Sequence, residues 1–195
     1  MTTKKFFLFL AIGAQIFNTS WYSISTFKGL IQPTIITWLM FGLATSLSFW
    51  TYWASGKHTW KSNIANFLDV ISVFIAILVI IFLGHNIRFN VNPFEIVCII
   101  LCLIILVFWR ITKSHEKSNI LLQVIMMLAY IPTYYQLWNA SESTEPLITW
   151  LMNWIMSLSS LILAIKNKDK LAIIYPGRAL VMLSIMIFLI LRLKL

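Results

Sequence analysis

Two charged side chains stand inside long hydrophobic stretches of the sequence. Asp69 and Arg178 each lie about seven residues into such a stretch, or roughly 10 Å deep at the helical rise of 1.5 Å per residue. An ionised side chain at the centre of a bilayer costs about 2.5 to 3.5 kcal/mol on insertion scales, so such residues usually face the protein interior and find partners. We therefore predict that Asp69 and Arg178 share one polar cavity. There we expect them to pair with each other, and as a pair to bind an anionic or zwitterionic solute or to take part in proton coupling.

Two other interpretations of these charges stay open. Arg178 follows Pro176-Gly177, and a helix break there would let its long side chain reach the membrane surface. Asp69 could instead be neutral and bonded to Ser72 or to a backbone carbonyl.

Uncharged polar side chains recur at helical spacing in the same kind of stretch. Gln15, Asn18 and Tyr22 share one face, and Gln123, Tyr130 and Tyr134 share another. Such residues either hold helices together by hydrogen bonds or line a cavity. We take the following as candidate binding residues: Asn18, Tyr22, Tyr130, Tyr134 and Asn153.

No enzyme motif accompanies these polar residues. The sequence contains no HExxH, GxSxG, phosphate-loop or GxGxxG pattern, so we do not expect an enzyme. Cys98 and Cys102 lie four residues apart with no further ligand nearby, which favours packing over metal binding. We expect neither a metal nor a cofactor.

The elements that position these residues are membrane helices. Hydrophobic residues make up 60% of the 195 residues and charged ones 11%, more apolar surface than a water-soluble domain of this size could hide. A helix that crosses a bilayer needs about 20 mainly apolar residues. We predict an all-α integral membrane protein with seven spans, at residues 5–24, 34–54, 62–83, 93–111, 119–138, 146–166 and 172–193.

The net charge of +9 is distributed unequally between the two ends of these spans. Ten basic residues fall on the face that contains Lys4 and four on the other, and Arg178 lies within a span. Cytoplasmic loops carry an excess of Lys and Arg, which places the N-terminus in the cytoplasm and the C-terminus outside. We expect the protein in the cell (inner) membrane. The basic residues then orient the protein and contact anionic lipid, and no nucleic-acid partner is expected.

A short repeat divides the chain into halves. Ile36–Met40 and Ile148–Met152 both read ITWLM at an offset of 112 residues, and each follows a proline, Pro33 or Pro146. We predict two parallel three-helix bundles, residues 1–84 and 119–195, joined by a linker helix at 93–111. This 3+1+3 arrangement would make residues 1–195 a single membrane domain. Pro33, Pro132 and Pro146 are candidate hinges, because proline removes a backbone hydrogen bond.

This arrangement resembles the SWEET and PQ-loop superfamily of small transporters. Pro33, Trp50 and Asn66 match a pattern in which a tryptophan on the second helix and an asparagine on the third line the substrate pocket. The resemblance therefore implies that Trp50 and Asn66 bind substrate. The second half departs from the pattern, since Ile162 and Arg178 stand at the equivalent positions. Carriers of the nicotinamide riboside type, with similar bundles and aromatic pockets, offer a second template.

These observations predict a facilitative or proton-linked membrane transporter for a small polar solute, such as a sugar or a vitamin precursor, working by alternating access between the two halves. The alternative is a membrane receptor or assembly protein that has the same scaffold and does not transport, because fold alone does not determine function. The expected partners are the solute and the lipid bilayer. Self-association is left open.

Overall fold

The protein is built from α-helices. A computed structural model describes residues 3–31, 35–56, 59–84, 93–141 and 146–193, and the regular secondary structure in these ranges is entirely helical. The helices are α1 (Thr3–Phe27), α2 (Ile35–Ala54), α3 (Ile64–Leu83), α4 (Pro93–Thr112), α5 (His115–Leu128), α6 (Ile131–Asn139), α7 (Leu147–Lys166) and α8 (Lys170–Arg192). The all-α class predicted from the sequence is confirmed.

Six segments of the described chain are long and apolar enough to cross a membrane. They are α2, α3, α4, the α5–α6 segment, α7 and α8. These segments suit an integral membrane protein, and they agree with six of the seven predicted spans to within a few residues. The first span forms α1, whose 25 residues carry many polar side chains, and α1 is not among the six.

The fifth predicted span contains an irregularity that separates α5 from α6. The amide of Tyr130 bonds to the carbonyl of Met127, three residues back, at 3.2 Å. Pro132 follows in the first turn of α6 and has no amide hydrogen for the carbonyl of Leu128. The helix therefore tightens and restarts at this point.

The long helices pack in a recurring pattern. α3 lies against both α1 and α2, and α8 lies against α7 and against α5 and α6. Extensive contacts also join α1 to α7 and α2 to α5, while α4 packs on α2 and α5. Polar residues carried by α1, α3, α7 and α8 are thereby brought toward one another.

The predicted prolines lie at helix ends where they are described. Pro146 is the N-cap of α7, with φ of −74°, and Pro132 lies in the first turn of α6. Pro33 lies outside the described residues. The break that Pro176-Gly177 suggested is not found, because α8 continues through both residues.

Candidate functional site

A cavity of about 840 Å³ lies among the helices. Residues from α1, α2, α3, α7 and α8 form most of its wall, and α4, α5 and α6 complete it. It extends to the face where α1 ends and where α2, α4 and α7 begin, since Leu30, Glu95 and Pro146 contribute to its lining. The size is in the range of sites that take small molecules, about 300 to 1,000 Å³.

Asp69, one of the two acidic residues that line the cavity, is held by two hydrogen-bond donors. Tyr175 Oη donates to Asp69 Oδ2 at 2.7 Å, and Gln15 Nε2 donates to Asp69 Oδ1 at 3.3 Å. Gln15 Nε2 also lies 2.5 Å from Ser72 Oγ. Three helices, α1, α3 and α8, thus fix the position of the Asp69 carboxyl group.

The basic residue of the cavity, Arg178, packs on the same tyrosine. The Arg178 guanidinium lies over the Tyr175 ring, with Cζ 4.8 Å from the ring centroid. Tyr175 precedes Arg178 by three residues on α8, and helical side chains point toward the N-terminus, so the two meet one turn apart. Stacking of this kind is a favourable cation–π contact.

The predicted direct pair between Asp69 and Arg178 is not formed. Within the described ranges no salt bridge of 4.0 Å or less joins them, and Tyr175 contacts both instead. The expectation that both charges line one cavity agrees with the structure. Ser72, the alternative partner considered for Asp69, accepts a hydrogen bond from the same Gln15 amide as Asp69 does.

An amide pair connects α1 to α7 across the cavity. Asn18 Nδ2 donates to Asn153 Oδ1 at 2.9 Å, and both residues line the cavity. Asn18 Oδ1 and, one turn earlier on α1, Gln15 Oε1 are buried with no partner in the described parts of the chain. Thr149 Oγ1 and Arg178 Nε share this property. All four of these atoms belong to residues of the cavity wall.

Aromatic rings form another part of the wall. Trp38 Nε1 donates to Tyr22 Oη at 2.7 Å, and the two ring centroids are 4.8 Å apart. Tyr130 lies 6.4 Å from Phe41 and 6.3 Å from Trp150, measured between ring centroids. Near the end of the cavity at α4, the Thr37 hydroxyl bonds to Glu95. The wall therefore combines charge, amides and flat apolar surface.

Six of the nine predicted binding residues line the cavity: Asn18, Tyr22, Asp69, Tyr130, Asn153 and Arg178. Tyr134 does not, and its hydroxyl donates to the carbonyl of Met182 at 2.6 Å. Its ring nevertheless contacts that of Tyr130, with the centroids 5.7 Å apart and the planes tilted by 36°, and so supports a residue of the wall.

The structure places Trp50 and Asn66 away from the cavity lining. Trp50 is 62% exposed on the outer surface and packs edge-on against Trp109. Asn66 is fully buried between α2 and α3. In the amide orientation that satisfies both of its polar atoms, it accepts from Ser48 Oγ at 2.8 Å and donates to the carbonyl of Thr45.

Ser48 is the centre of a separate buried polar cluster. Gln123 Nε2 donates to Ser48 Oγ at 2.8 Å, and Asn119 Nδ2 donates to the Ser48 carbonyl at 2.7 Å. These contacts bring α5 onto α2, and Asn66 adds α3. The cluster therefore holds three helices together, the structural role that was one of the two alternatives for such residues.

The opposite end of the protein is closed by polar contacts between helix ends. Tyr52 Oη, near the end of α2, donates to Asp169 Oδ2 at 2.7 Å, and Asp169 also caps α8 by accepting from the Ala172 amide. Lys4 Nζ donates to Asn167 Oδ1 at 2.8 Å, and Asn167 Nδ2 donates to Ser62 Oγ at 3.2 Å. We call these residues the basal contacts: Lys4, Tyr52, Ser62, Asn167 and Asp169.

The 112-residue offset relates several pairs of cavity residues. Thr37 and Trp38 of the first ITWLM segment line the cavity, and so do Thr149 and Trp150 of the second. Further equivalent pairs in the lining are Phe41 with Asn153, Thr45 with Ser157, and Asn18 with Tyr130. The repeated segments thus face the same space.

Within the described residues no cluster of three or more His, Cys, Asp or Glu side chains could hold a metal ion. Cys98 and Cys102 are buried and unpaired in α4. No known protein family, curated protein or solved structure matches the chain.

Tyr175 is the main site residue that the sequence did not single out. A tyrosine in an apolar run is typical of packing, and nothing in its type separates it from other aromatic residues. Its spacing of three residues before Arg178 was the available signal, because residues i and i+3 share a helical face.

Proposed function

We propose that the protein is a membrane transporter that carries a small polar solute through this cavity. The observation that carries the proposal is a chamber of about 840 Å³ among the helices that combines Asp69, Arg178, three amide side chains and an aromatic wall. Ionisable residues inside membrane spans are costly and typically mark solute or ion pathways. No catalytic group is needed to explain them.

The packing supports two equivalent halves. If α1, α2 and α3 correspond to α5–α6, α7 and α8, then the contact of α1 with α7 is the counterpart of the contact of α5 with α2. In each half the third helix lies between the other two. The paired cavity residues agree with this correspondence. We infer a 3+1+3 arrangement with α4 as the linker helix and with the solute site between the halves.

The closed end suggests how access could alternate. The basal contacts join α1, α2 and the α2–α3 connection to the α7–α8 turn, and thus join the two proposed halves. None of their residues is among those that line the cavity. By the charge count they lie on the cytoplasmic side, while the cavity extends toward the outer side. Rocking of the halves would break these contacts as the outer end closes.

The resemblance to SWEET and PQ-loop transporters is consistent with this mechanism and remains part of the proposal. A receptor or assembly protein on the same scaffold is the alternative. An assembly protein has no need for a charged chamber that extends from the middle of the helices to one face, whereas a receptor would bind the solute there without carrying it across.

Uptake into proteoliposomes tests the proposal. The purified protein should give saturable uptake of at least one member of a panel of labelled sugars, amino acids and vitamin precursors, and Arg178→Gln should reduce it. Arg192→Gln is the matched control, because Arg192 lies on the same helix and bonds to the carbonyls of Leu137 and Trp138 outside the cavity. Solute binding without flux in both wild type and control would support the receptor instead.

A further inference from the structure

Four polar atoms of the cavity wall that have no partner among the described residues show what a solute must supply. Gln15 Oε1 and Asn18 Oδ1 are acceptors, Arg178 Nε is a donor, and Thr149 Oγ1 can act as either. Buried polar groups are normally hydrogen-bonded, so unpartnered ones in a cavity wall are positions for ligand atoms. A matching solute presents hydrogen-bond donors to α1 and an acceptor to α8.

Charge makes the requirement more specific at Arg178. In the described parts of the chain no carboxylate lies within 4.0 Å of its guanidinium, which rests on the Tyr175 ring. A guanidinium binds carboxylates through paired N–H groups and keeps its charge when buried. An anionic group on the solute would provide the missing counter-charge. A neutral sugar would not.

The opposite sign is present in the same chamber. Asp69 is held by the neutral donors Tyr175 and Gln15, and within the described residues no basic group forms a salt bridge with it. Gln15 Oε1 belongs to the amide that donates to Asp69, and Asn18 Oδ1 lies one turn further along α1; neither oxygen has a partner in the described ranges. A cationic group such as an ammonium, with several N–H donors, fits this side.

Aromatic rings supply a flat, largely apolar part of the remaining wall. Tyr22, Trp38, Phe41, Tyr130 and Trp150 all line the cavity. Aromatic surface of this kind takes up apolar or aromatic groups and also favours a nearby cation. The solute therefore has an apolar body attached to its two charged groups.

We propose that the solute is a zwitterion of the α-amino acid class with an apolar or aromatic side chain. Its carboxylate binds Arg178, its ammonium group lies on the side of Asp69, Gln15 and Asn18, and its side chain packs on the aromatic wall. This assignment rests on the proposed function, since it names the class of solute carried through the cavity.

Analogues that lack one charge at a time test the assignment. Binding of L-phenylalanine and L-leucine to the purified protein is measured by calorimetry alongside phenylalaninamide, which has no carboxylate, 3-phenylpropanoate, which has no ammonium, and glucose. At least one amino acid should bind ten times or more tightly than either single-charge analogue. Arg178→Gln should abolish the preference over phenylalaninamide, and Asp69→Asn the preference over 3-phenylpropanoate.

Two variants outside the cavity serve as controls. Arg192→Gln removes a base from α8, and Glu116→Gln removes an exposed acid from the first turn of α5. Both should retain the wild-type preference. Thermal unfolding of every variant identifies those that lose binding because they fail to fold. If Arg178→Gln is one of them, Arg178→Lys replaces it, because lysine keeps the charge but not the paired N–H groups.

The outcomes separate this inference from transport itself. Saturable uptake of glucose or of a single-charge analogue, with no preference for an amino acid, would overturn the zwitterion assignment and leave the transporter standing. Amino-acid binding without uptake would support the assignment and argue against transport. Absence of binding by both amino acids would overturn the assignment.

Discussion

Tyr175 Oη donates a hydrogen bond of 2.7 Å to Asp69 Oδ2, and this contact links α8 to α3 in the wall of the cavity. The ring of the same tyrosine supports Arg178. Asp69 and Arg178 are therefore both positioned by the side chain of Tyr175. Their roles can be separated by changing the hydroxyl and the ring independently.

Removal of the Tyr175 hydroxyl should weaken the hold on Asp69 and leave the support of Arg178 in place. Tyr175→Phe removes one donor from a partly buried carboxyl group, and about 1 to 3 kcal/mol is the cost of a fully buried group left unsatisfied. We expect a lower midpoint of thermal unfolding in detergent. Combined with Asp69→Asn, the loss should be smaller than the sum of the two single losses, because both changes remove the same bond. Additive losses would argue against that contact.

Exchange of the two charges should fail to restore the protein. Since Asp69 and Arg178 do not contact each other directly, the double variant Asp69→Arg with Arg178→Asp gains no pair. It also places a guanidinium opposite the Gln15 amide and the Tyr175 hydroxyl, which donate to Asp69. Thermal unfolding of the single and double variants measures this. Recovery of stability in the exchange variant would show that the charges meet in the folded protein.

The helices could be predicted from the sequence because long apolar runs bounded by polar residues have few other solutions in a bilayer. The fifth span was predicted without an interruption, although Pro132, named as a candidate hinge, marks the irregularity at Tyr130. Asp69 and Arg178 were predicted to share the cavity because charge at membrane depth demands an interior position. The structure agrees with that argument, which depends on energy rather than on the detailed packing of side chains.

The positions that came from resemblance fared differently. Trp50 faces outward and Asn66 joins the Ser48 cluster, because a residue's direction depends on helix rotation that spacing within one span does not fix. Tyr175 was missed for the same reason, since its hydroxyl is aimed at Asp69 only when α3 and α8 are packed. The directions of these side chains therefore depend on contacts between helices, which the sequence alone does not specify.

The Ser48 cluster should affect stability and leave solute affinity unchanged. Asn66→Ala leaves Ser48 without one of its partners, and interhelical hydrogen bonds of this kind contribute about 0.6 to 2 kcal/mol. We expect a lower unfolding midpoint and an unchanged dissociation constant for the transported solute. Trp50→Ala should change neither the unfolding midpoint nor the dissociation constant by much, since the Trp50 side chain is largely exposed. A specific loss of affinity in either variant would return these residues to the binding site.

The orientation in the membrane follows from the charge count and can be tested by labelling. In a background lacking Cys98 and Cys102, single cysteines at Ser141, after α6, and at Glu116, at the start of α5, should react from opposite sides. Both positions are exposed. We expect Ser141→Cys to react with an impermeant thiol reagent in intact cells, and Glu116→Cys only after permeabilisation. The reverse pattern would invert the proposed topology.

Loosening the basal contacts should open the cavity toward the cytoplasmic side. Tyr52→Phe removes the hydroxyl that donates to Asp169 at 2.7 Å, together with its longer contact of 3.3 Å to the Thr59 carbonyl. The cap that Asp169 provides to the Ala172 amide stays in place. Loss of one such bond shifts the balance between two conformations by about 0.5 to 1.5 kcal/mol, or several-fold in population. The inward-facing conformation should therefore become more populated.

A cysteine in the cavity reports this shift. Thr19 lines the cavity on α1, and Thr19→Cys in the cysteine-free background should react faster with an impermeant reagent applied from the cytoplasmic side when Tyr52→Phe is present, and more slowly from the outer side. Ser55→Ala is the matched control, because the Ser55 hydroxyl bonds to the carbonyl of Tyr52 within the same turn and, in the described residues, to no group of the other half. The basal contacts act as a gate only if reactivity changes in opposite directions from the two sides. A parallel rise on both sides would indicate general loosening of the helices.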